Sequence, residues 1–565
     1  MSDPSITIVT SLALPLASAA LALVLWRRVR QRLELSLAKH PGLGGHLRWA
    51  RRFARWLPGY SHAEARFYDL DQAPEAVATQ RKAALARLGE TLTTRSPKTL
   101  DFTSQARPLI SDMQFISRYR VPFQFREVFS GKVQIGSFLK ASEGAQLIDL
   151  DGNSFFDVTG SYGVNVFGQA FYRECMDRGA NIGRDLGVVL GSYHPCVLDN
   201  VQRLCAISGK DEVSFHMSGT EAVMQAVRLA RYNTSRRKIV RFAGAYHGWW
   251  DDVQPGPGNP MPPASDTLTL RERHPATLRV LERRNDIACV LVNPIQAMHP
   301  NRAAPADSTL LDGGRQVAFD REATRQWLLQ LREVCTRKGI VLIFDEVFLG
   351  FRLAAGGAQA WFGVQADLVT YGKTLAGGLP IGVVCGKARY MKRYRDDLPG
   401  DVCFARGTFN AHPYVMGSMN AFLHRLDDDD IKTLYATADA TWEGRLDQLN
   451  AQLKAANMPV RVVGMATVWS VLFDTPSRYN WLFQFYLREQ GIALSWVGSG
   501  RMIFTLGFSD ADFATFCDRF TEAARQMQAG GWWWTAAGQT NKAIQRQVLR
   551  EVVRARLGLA QDARA

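Results

Sequence analysis

What this chain lacks narrows the field first. It has no Cys-x-x-Cys pair and no histidine spacing that resembles a zinc site. Its eight cysteines (Cys175, Cys196, Cys205, Cys289, Cys335, Cys385, Cys403 and Cys517) are scattered and read as reduced thiols in the cytoplasm, and no metal is expected. There is no internal repeat, and low-complexity sequence is confined to the Pro/Gly run Pro255–Pro263, read as a loop. With 47% hydrophobic residues over 565 positions, disorder as the main state is excluded and more than one globular unit is expected. The net charge of +15 lacks the spread that a nucleic-acid partner requires. Between Arg27 and Trp56 nine basic residues face one acid, Glu34, and from Lys542 onward six face two, which leaves the body nearly neutral. No nucleic-acid partner is expected.

Charge is also missing from Pro4 to Trp26, and Ile8–Leu25 is almost wholly Ala, Leu, Val and small hydroxyl residues. A helix of that length covers ~30 Å of hydrocarbon. Asp3 precedes the stretch and arginines follow it, the reverse of a cleaved secretory signal. The expectation is therefore a transmembrane helix at 4–26, a single-pass anchor with the N-terminus outside and the body cytoplasmic. Residues 27–60 read as a basic juxtamembrane amphipathic segment, with Trp49, Phe53, Trp56 and Leu57 at helical spacing among arginines. A basic helix packed on the body is the alternative.

Two segments carry the strongest chemical signal: Val341-Leu-Ile-Phe-Asp-Glu-Val347, and Val369 to Pro380 with Lys373 ahead of Ala376-Gly-Gly378. Each ends an apolar run with one chemically active group. An aldehyde cofactor needs an amine to hold it as a Schiff base, and its ring draws electrons only if a carboxylate keeps the pyridine nitrogen protonated. Lys373 and Asp345 are placed for those tasks, as the catalytic pair. Burial of Lys373 would ease loss of its proton, so that it can act as a base. Glu346 is expected to point elsewhere and be structural.

Three further pieces fit the same site. Asp211–Ala222 is a short strand running into a turn and helix, which sets Ser218, Gly219 and Thr220 at a helix N-terminus that favours a phosphate. Read alone, the same turn is a plain helix cap. Lys238–Phe242 reads as a strand followed by Ala245-Tyr-His-Gly248, where Tyr246 could stack on a planar ring or simply pack on the core. Gly407-Thr-Phe-Asn-Ala-His-Pro413 offers another hydroxyl and turn.

In this order, Ser218–Ala222, Tyr246-His-Gly248, Asp345-Glu-Val347, Gly372–Gly382 and Gly407-Thr-Phe409 closely resemble the class III aminotransferases. The nearest branch is similar to the glutamate-1-semialdehyde aminomutases, over roughly Leu139 to Gln526. The resemblance implies an α/β, fold-type I pyridoxal 5'-phosphate enzyme: a large domain with a mostly parallel seven-stranded sheet, a small α/β domain from both ends of the match, and a homodimer. It implies that Lys373 holds the cofactor, Asp345 pairs with the pyridine nitrogen, and Tyr246, in the same motif as His247, stacks on the ring. Ser218, Gly219 and Thr220 hold the phosphate, and Thr408 reaches that of the other subunit.

The expected division is 4–26 transmembrane helix, 27–60 juxtamembrane segment, 61–138 N-terminal extension, 139–200 small domain (first part), 201–425 large domain, 426–528 small domain (second part) and 529–565 basic tail. Gly530-Gly-Trp-Trp-Trp534 and the helix after it read as a surface-binding helix or as one docked on the dimer.

Departures from the family pattern shape the functional expectation. After the strand Ile287–Val292 the family usually has Glu-Pro; here Asn293-Pro294 follows, so a substrate-side carboxylate is missing. The aminomutases' Ser-Pro-Val-Arg run is absent from Ser117–Phe125, with Arg118, Arg120 and Arg352 as open replacements. The expectation is a transaminase moving an amino group from a small-molecule donor to a carbonyl acceptor, lipid-like or acyl-chain if the protein is anchored. The alternatives are an intramolecular aminomutase and, from another class, a membrane-tethered scaffold without catalysis.

Overall fold

Four runs of this chain are apolar without alternation, and a strand of that kind is stable only with both faces covered. A computed structural model describes residues 4–254, 256–296, 320–495 and 500–559, with side chains from residue 17 onward. In it these runs form the middle of a seven-stranded sheet. The strands are β1 (Glu212–His216), β2 (Lys238–Phe242), β3 (Thr267–Leu270), β4 (Ile287–Val292), β5 (Val341–Asp345), β6 (Leu368–Gly372) and β7 (Gly382–Gly386), in the spatial order β1-β7-β6-β5-β4-β2-β3. Every residue of β4, β5, β6 and β7 is buried. β7 runs antiparallel to both neighbours, with Gly382 opposite Gly372 and His216, while β2 through β6 are parallel. Parallel strands carry all their carboxyl ends to one edge, where open α/β sheets bind ligands.

The flanking sheets join distant parts of the chain. Ile492 pairs in parallel with Phe156, which closes a four-stranded sheet begun by Leu139–Glu143. A three-stranded sheet contains Val460–Met465, Val468–Phe473 and Arg501–Ile503.

The N-terminal helix requires a correction. The transmembrane helix expected at 4–26, and with it the single-pass anchor, is not supported: among the described residues no helix is long and apolar enough to cross a membrane. The part of that expectation resting on the side chains of residues 1–16 lies outside the described residues. Helix α1 (Pro4–Leu37) runs on without a break into charge. Charge enters it at Arg27, with Arg28, Arg30 and Arg32 on the next turn. The far end of the helix then docks on the body: Glu34 pairs with Arg283, and Ala38 beyond it is fully buried. Helix α2 (Leu47–Trp56) is tied down too, since Arg51 donates to the carbonyls of Asn259 (2.6 Å), Pro260 (2.9 Å) and Met261. Trp49, Phe53 and Trp56 stay exposed.

The C-terminal tail, expected as a surface-binding helix or one docked on the dimer, packs on its own chain, against residues 478–486 and the N-terminal extension. Trp532 and Trp533 are buried, their indole N–H groups donating to Tyr486 Oη (2.7 Å) and Asn480 Oδ1 (3.0 Å). Arg81 lies beneath them and donates to the carbonyls of Gly531 and Tyr68. The fully buried Arg478 bridges Asp71 and Glu551 at 2.9 Å each, so one guanidinium links the extension to the tail helix Asn541–Arg556.

Candidate active site

Five of the seven strands end at one cavity of about 540 Å³. Ser218, Gly219 and Thr220 follow β1, Tyr246, His247 and Gly248 follow β2, and Asn293 follows β4. Asp345 closes β5, and Lys373 is the first residue after β6. Thr408 is absent from the lining; it sits on the loop before the helix Pro413–Arg425.

Lys373 is held in the left-handed region at φ 49°, a conformation that costs a non-glycine residue about 1–3 kcal/mol and persists only where the surroundings impose it. Its Nζ donates to the carbonyl of Tyr162 at 2.5 Å and lies 5.1 Å from the centre of the Phe348 ring. Burial pushes the amine down to about 8, helped by the charges of Arg501 and Arg352 and opposed by Asp345.

Asp345 is almost completely buried and is met by donors on both oxygens. Oδ1 accepts from Thr370 Oγ1 and from the backbone of Val347, each at 3.2 Å. Oδ2 lies 2.7 Å from His247 Nδ1 and accepts from Asn293 Nδ2 at 3.1 Å. Burial holds the imidazole below its ordinary pKa, against the pull of Asp345. A carboxylate cannot donate, so Nδ1 of a neutral His247 carries the hydrogen. Glu346 turns away, accepting from the backbone N–H groups of Ala358 and Gln359, and burial pushes its carboxyl up to about 7.

Ser218 caps helix α3 (Gly219–Thr234): its Oγ accepts from Glu221 N at 3.3 Å, while Glu221 Oε2 accepts from Met217 N at 2.9 Å. The cap leaves room for an anion, because Gly219 and Thr220 are the first residues of the helix and their N–H groups have no acceptor within it. The approach is tight. A Cβ on Gly219 would lie 2.6 Å from Val347 Cγ1, and one on Gly248 would lie 2.5 Å from Thr220 Oγ1.

The arginines proposed from sequence distribute differently. Arg352 is fully buried and spent on Thr467 Oγ1 and the carbonyls of Phe504, Gly163 and Asn165. Arg118 is exposed, and Arg120 donates to Gln484 Oε1 at 3.4 Å. The arginine that does line the cavity is Arg501, which no motif marks because it stands 128 positions beyond Lys373 in a three-residue strand. Tyr162 and Asn293 were missed as well. Asn293 was legible only as the loss of a glutamate.

A lysine and an aspartate at the carboxyl ends of adjacent strands, beside a helix start that suits a phosphate, define a fold-type I pyridoxal phosphate enzyme. The residues present fit that cofactor: an anion for its ring nitrogen, an amine for its aldehyde, and glycines where a side chain would obstruct the approach. The chain belongs to the class III aminotransferases, whose family profile it matches at residues 129–252 and 318–524. It is 31% identical over 361 residues to a glutamate-1-semialdehyde 2,1-aminomutase of Methanosphaera stadtmanae, covering 61% of this chain and 78% of that one. It is 34% identical over 359 residues to the enzyme of the same name from Flavobacterium johnsoniae, covering 60% and 76%. Among solved structures, a transaminase with pyridoxal phosphate bound aligns over 75% of this chain and 99% of its own, with TM-score 0.58 and 26% identity. A glutamate-1-semialdehyde aminomutase from Pseudomonas aeruginosa shares the fold, with TM-score 0.62 and 18% identity over 80% of this chain and 99% of its own.

Proposed function

We propose that this enzyme is a transaminase that carries an amino group from a donor amine to a separate carbonyl acceptor. The observation that carries the reading is the shared cavity of Lys373 and Asp345, with no second carboxylate at position 293. Bound pyridoxal phosphate supplies the electron sink for the charge left when a donor loses its Cα proton. Lys373 Nζ, with its lowered pKa, takes that proton and returns it, because an amine near 8 is partly neutral at physiological pH. Asp345 keeps a negative charge under the ring nitrogen, Tyr246 covers the ring, and the first turn of α3 with Ser218 and Thr220 binds the phosphate. Arg501 adds a cation to the cavity, which suits a substrate bearing an acid group. The acyl-chain acceptor rested on a membrane anchor and goes with it.

The reading includes a homodimer. Tyr193, Leu198 and Phe404 (71% exposed) line one open surface with Arg406 and Asn410, which flank Thr408 in the chain, and a second copy covering it would set the Thr408 loop at the dimer interface. The large domain at 201–425 and the small domain from 139–200 and 426–528 belong to the same reading.

An aminomutase is the second reading, favoured by the names of the relatives. Mass spectrometry with a ¹⁵N-labelled donor separates the two. Label appearing in a second molecule supports transamination; an amino group that only changes position within one molecule overturns it.

A further inference from the structure

Asn293 touches more of this site than its reading as a missing glutamate implies. It follows β4, is buried, and points both ends of its amide at the site. Its Oδ1 accepts from the backbone N–H of Tyr246 at 3.2 Å, and its Nδ2 donates to Asp345 Oδ2 at 3.1 Å. The partners fix the orientation, since a backbone N–H only donates and a carboxylate only accepts. The 3.4 Å approach of Nδ2 to His247 Nδ1 is then a contact between two donors, both serving the same carboxylate oxygen.

We propose that Asn293 is a positioning residue that ties the Tyr246 loop to Asp345 in one frame, and that a side chain of this length must be a neutral amide so that Asp345 keeps its charge under the cofactor ring. An aspartate at 293, the same length as the asparagine, would face Asp345 Oδ2 across a hydrogen-bond distance in a dry site, whereas the glutamate usual in the family is one methylene longer. Two such acids cannot both ionise and would share a proton. That proton neutralises the charge meant for the pyridine nitrogen. The proposal rests on Asp345 and Tyr246 being the ring contacts of pyridoxal phosphate.

The test is the dissociation constant of pyridoxal phosphate for the full chain from pH 6 to 9, with melting temperatures of the cofactor-free proteins. Asn293→Ala loses one buried donor and one acceptor and should bind about tenfold more weakly than wild type at every pH. Asn293→Asp is the sharper probe. A protonated aspartic acid reproduces the amide, donating to Asp345 and accepting from Tyr246, so binding should come within about threefold of wild type at pH 6 and fall by about a hundredfold at pH 9. The other titratable groups facing the cluster (His247, Arg241, Tyr246, Lys373 and Glu346) are common to both proteins, so the ratio at each pH isolates residue 293. Wild-type affinity in both variants overturns the proposal. Equal loss in both at every pH, with a matching fall in melting temperature, overturns it in favour of a purely structural residue. Asp345→Asn in the same assay separates the two levels: if it binds like wild type, the ring-contact reading fails and takes the proposal with it; if it binds weakly while both Asn293 variants bind well, only the role of Asn293 falls.

Discussion

Two carboxylate clusters in this molecule, one partly and one fully buried, are built on opposite plans. Around Arg478, the acids Asp71 and Glu551 share one guanidinium that is itself sealed from solvent. Around Asp345 the nearest partners are donors without a formal charge: Thr370, the Val347 backbone, Asn293 and an imidazole kept largely neutral by burial. The first cluster is compensated internally and joins the N-terminal extension to the tail. The second is oriented by its donors, with no guanidinium or ammonium bonded to Asp345 among the described residues. A buried anion is costly without a cation, so a site that leaves one uncompensated is made for a cation that arrives with a ligand. In the proposed function the protonated pyridine ring is that cation.

The comparison breaks first at Lys373. Lys373→Ala should lower turnover by about 10³-fold or more with little change in the melting temperature of the cofactor-free protein, measured by steady-state kinetics and calorimetry. Arg478→Met strands two acids in the protein and should cost about 3–5 kcal/mol in denaturant unfolding, while activity per folded molecule is kept. Asp345→Asn should do the opposite: unfolding free energy of the cofactor-free protein unchanged or slightly raised, and kcat/KM lowered by about 10²-fold.

The smallest effect sharpens the electrostatics. With Lys373 as the proposed base, active as the neutral amine, the base-dependent limb of kcat/KM should rise with pH and level off above about 8. Arg501 holds that amine down by like charge, so Arg501→Met should move the limb upward, by about one pH unit or less. A limb that stays in place or moves to lower pH would mean that Arg501 does not act on Lys373.

Much of the site could be read along the chain. Asp345, Lys373, Ser218 and Tyr246 each stand where an apolar run ends, and in a parallel sheet all such ends meet at one edge. Where reading failed, the information was not local. Arg501 lies on a short strand whose place is set by pairing with Val468–Phe473. Arg352 has the charge of a substrate ligand, and only its four buried partners show it to be a clamp. The leader was misjudged because a run without charge says how long a helix can be, not what its continuation docks against.

The amino-acid sequence by itself determined the family, the cofactor chemistry and the strand ends that carry it, because those depend on hydrophobic runs and on which groups follow them. Tertiary structure alone decided which arginine faces Lys373, that Asn293 braces Asp345, and that the tail folds back on the extension. These are contacts between residues far apart in the chain, and their energies exist only once the core has brought them together.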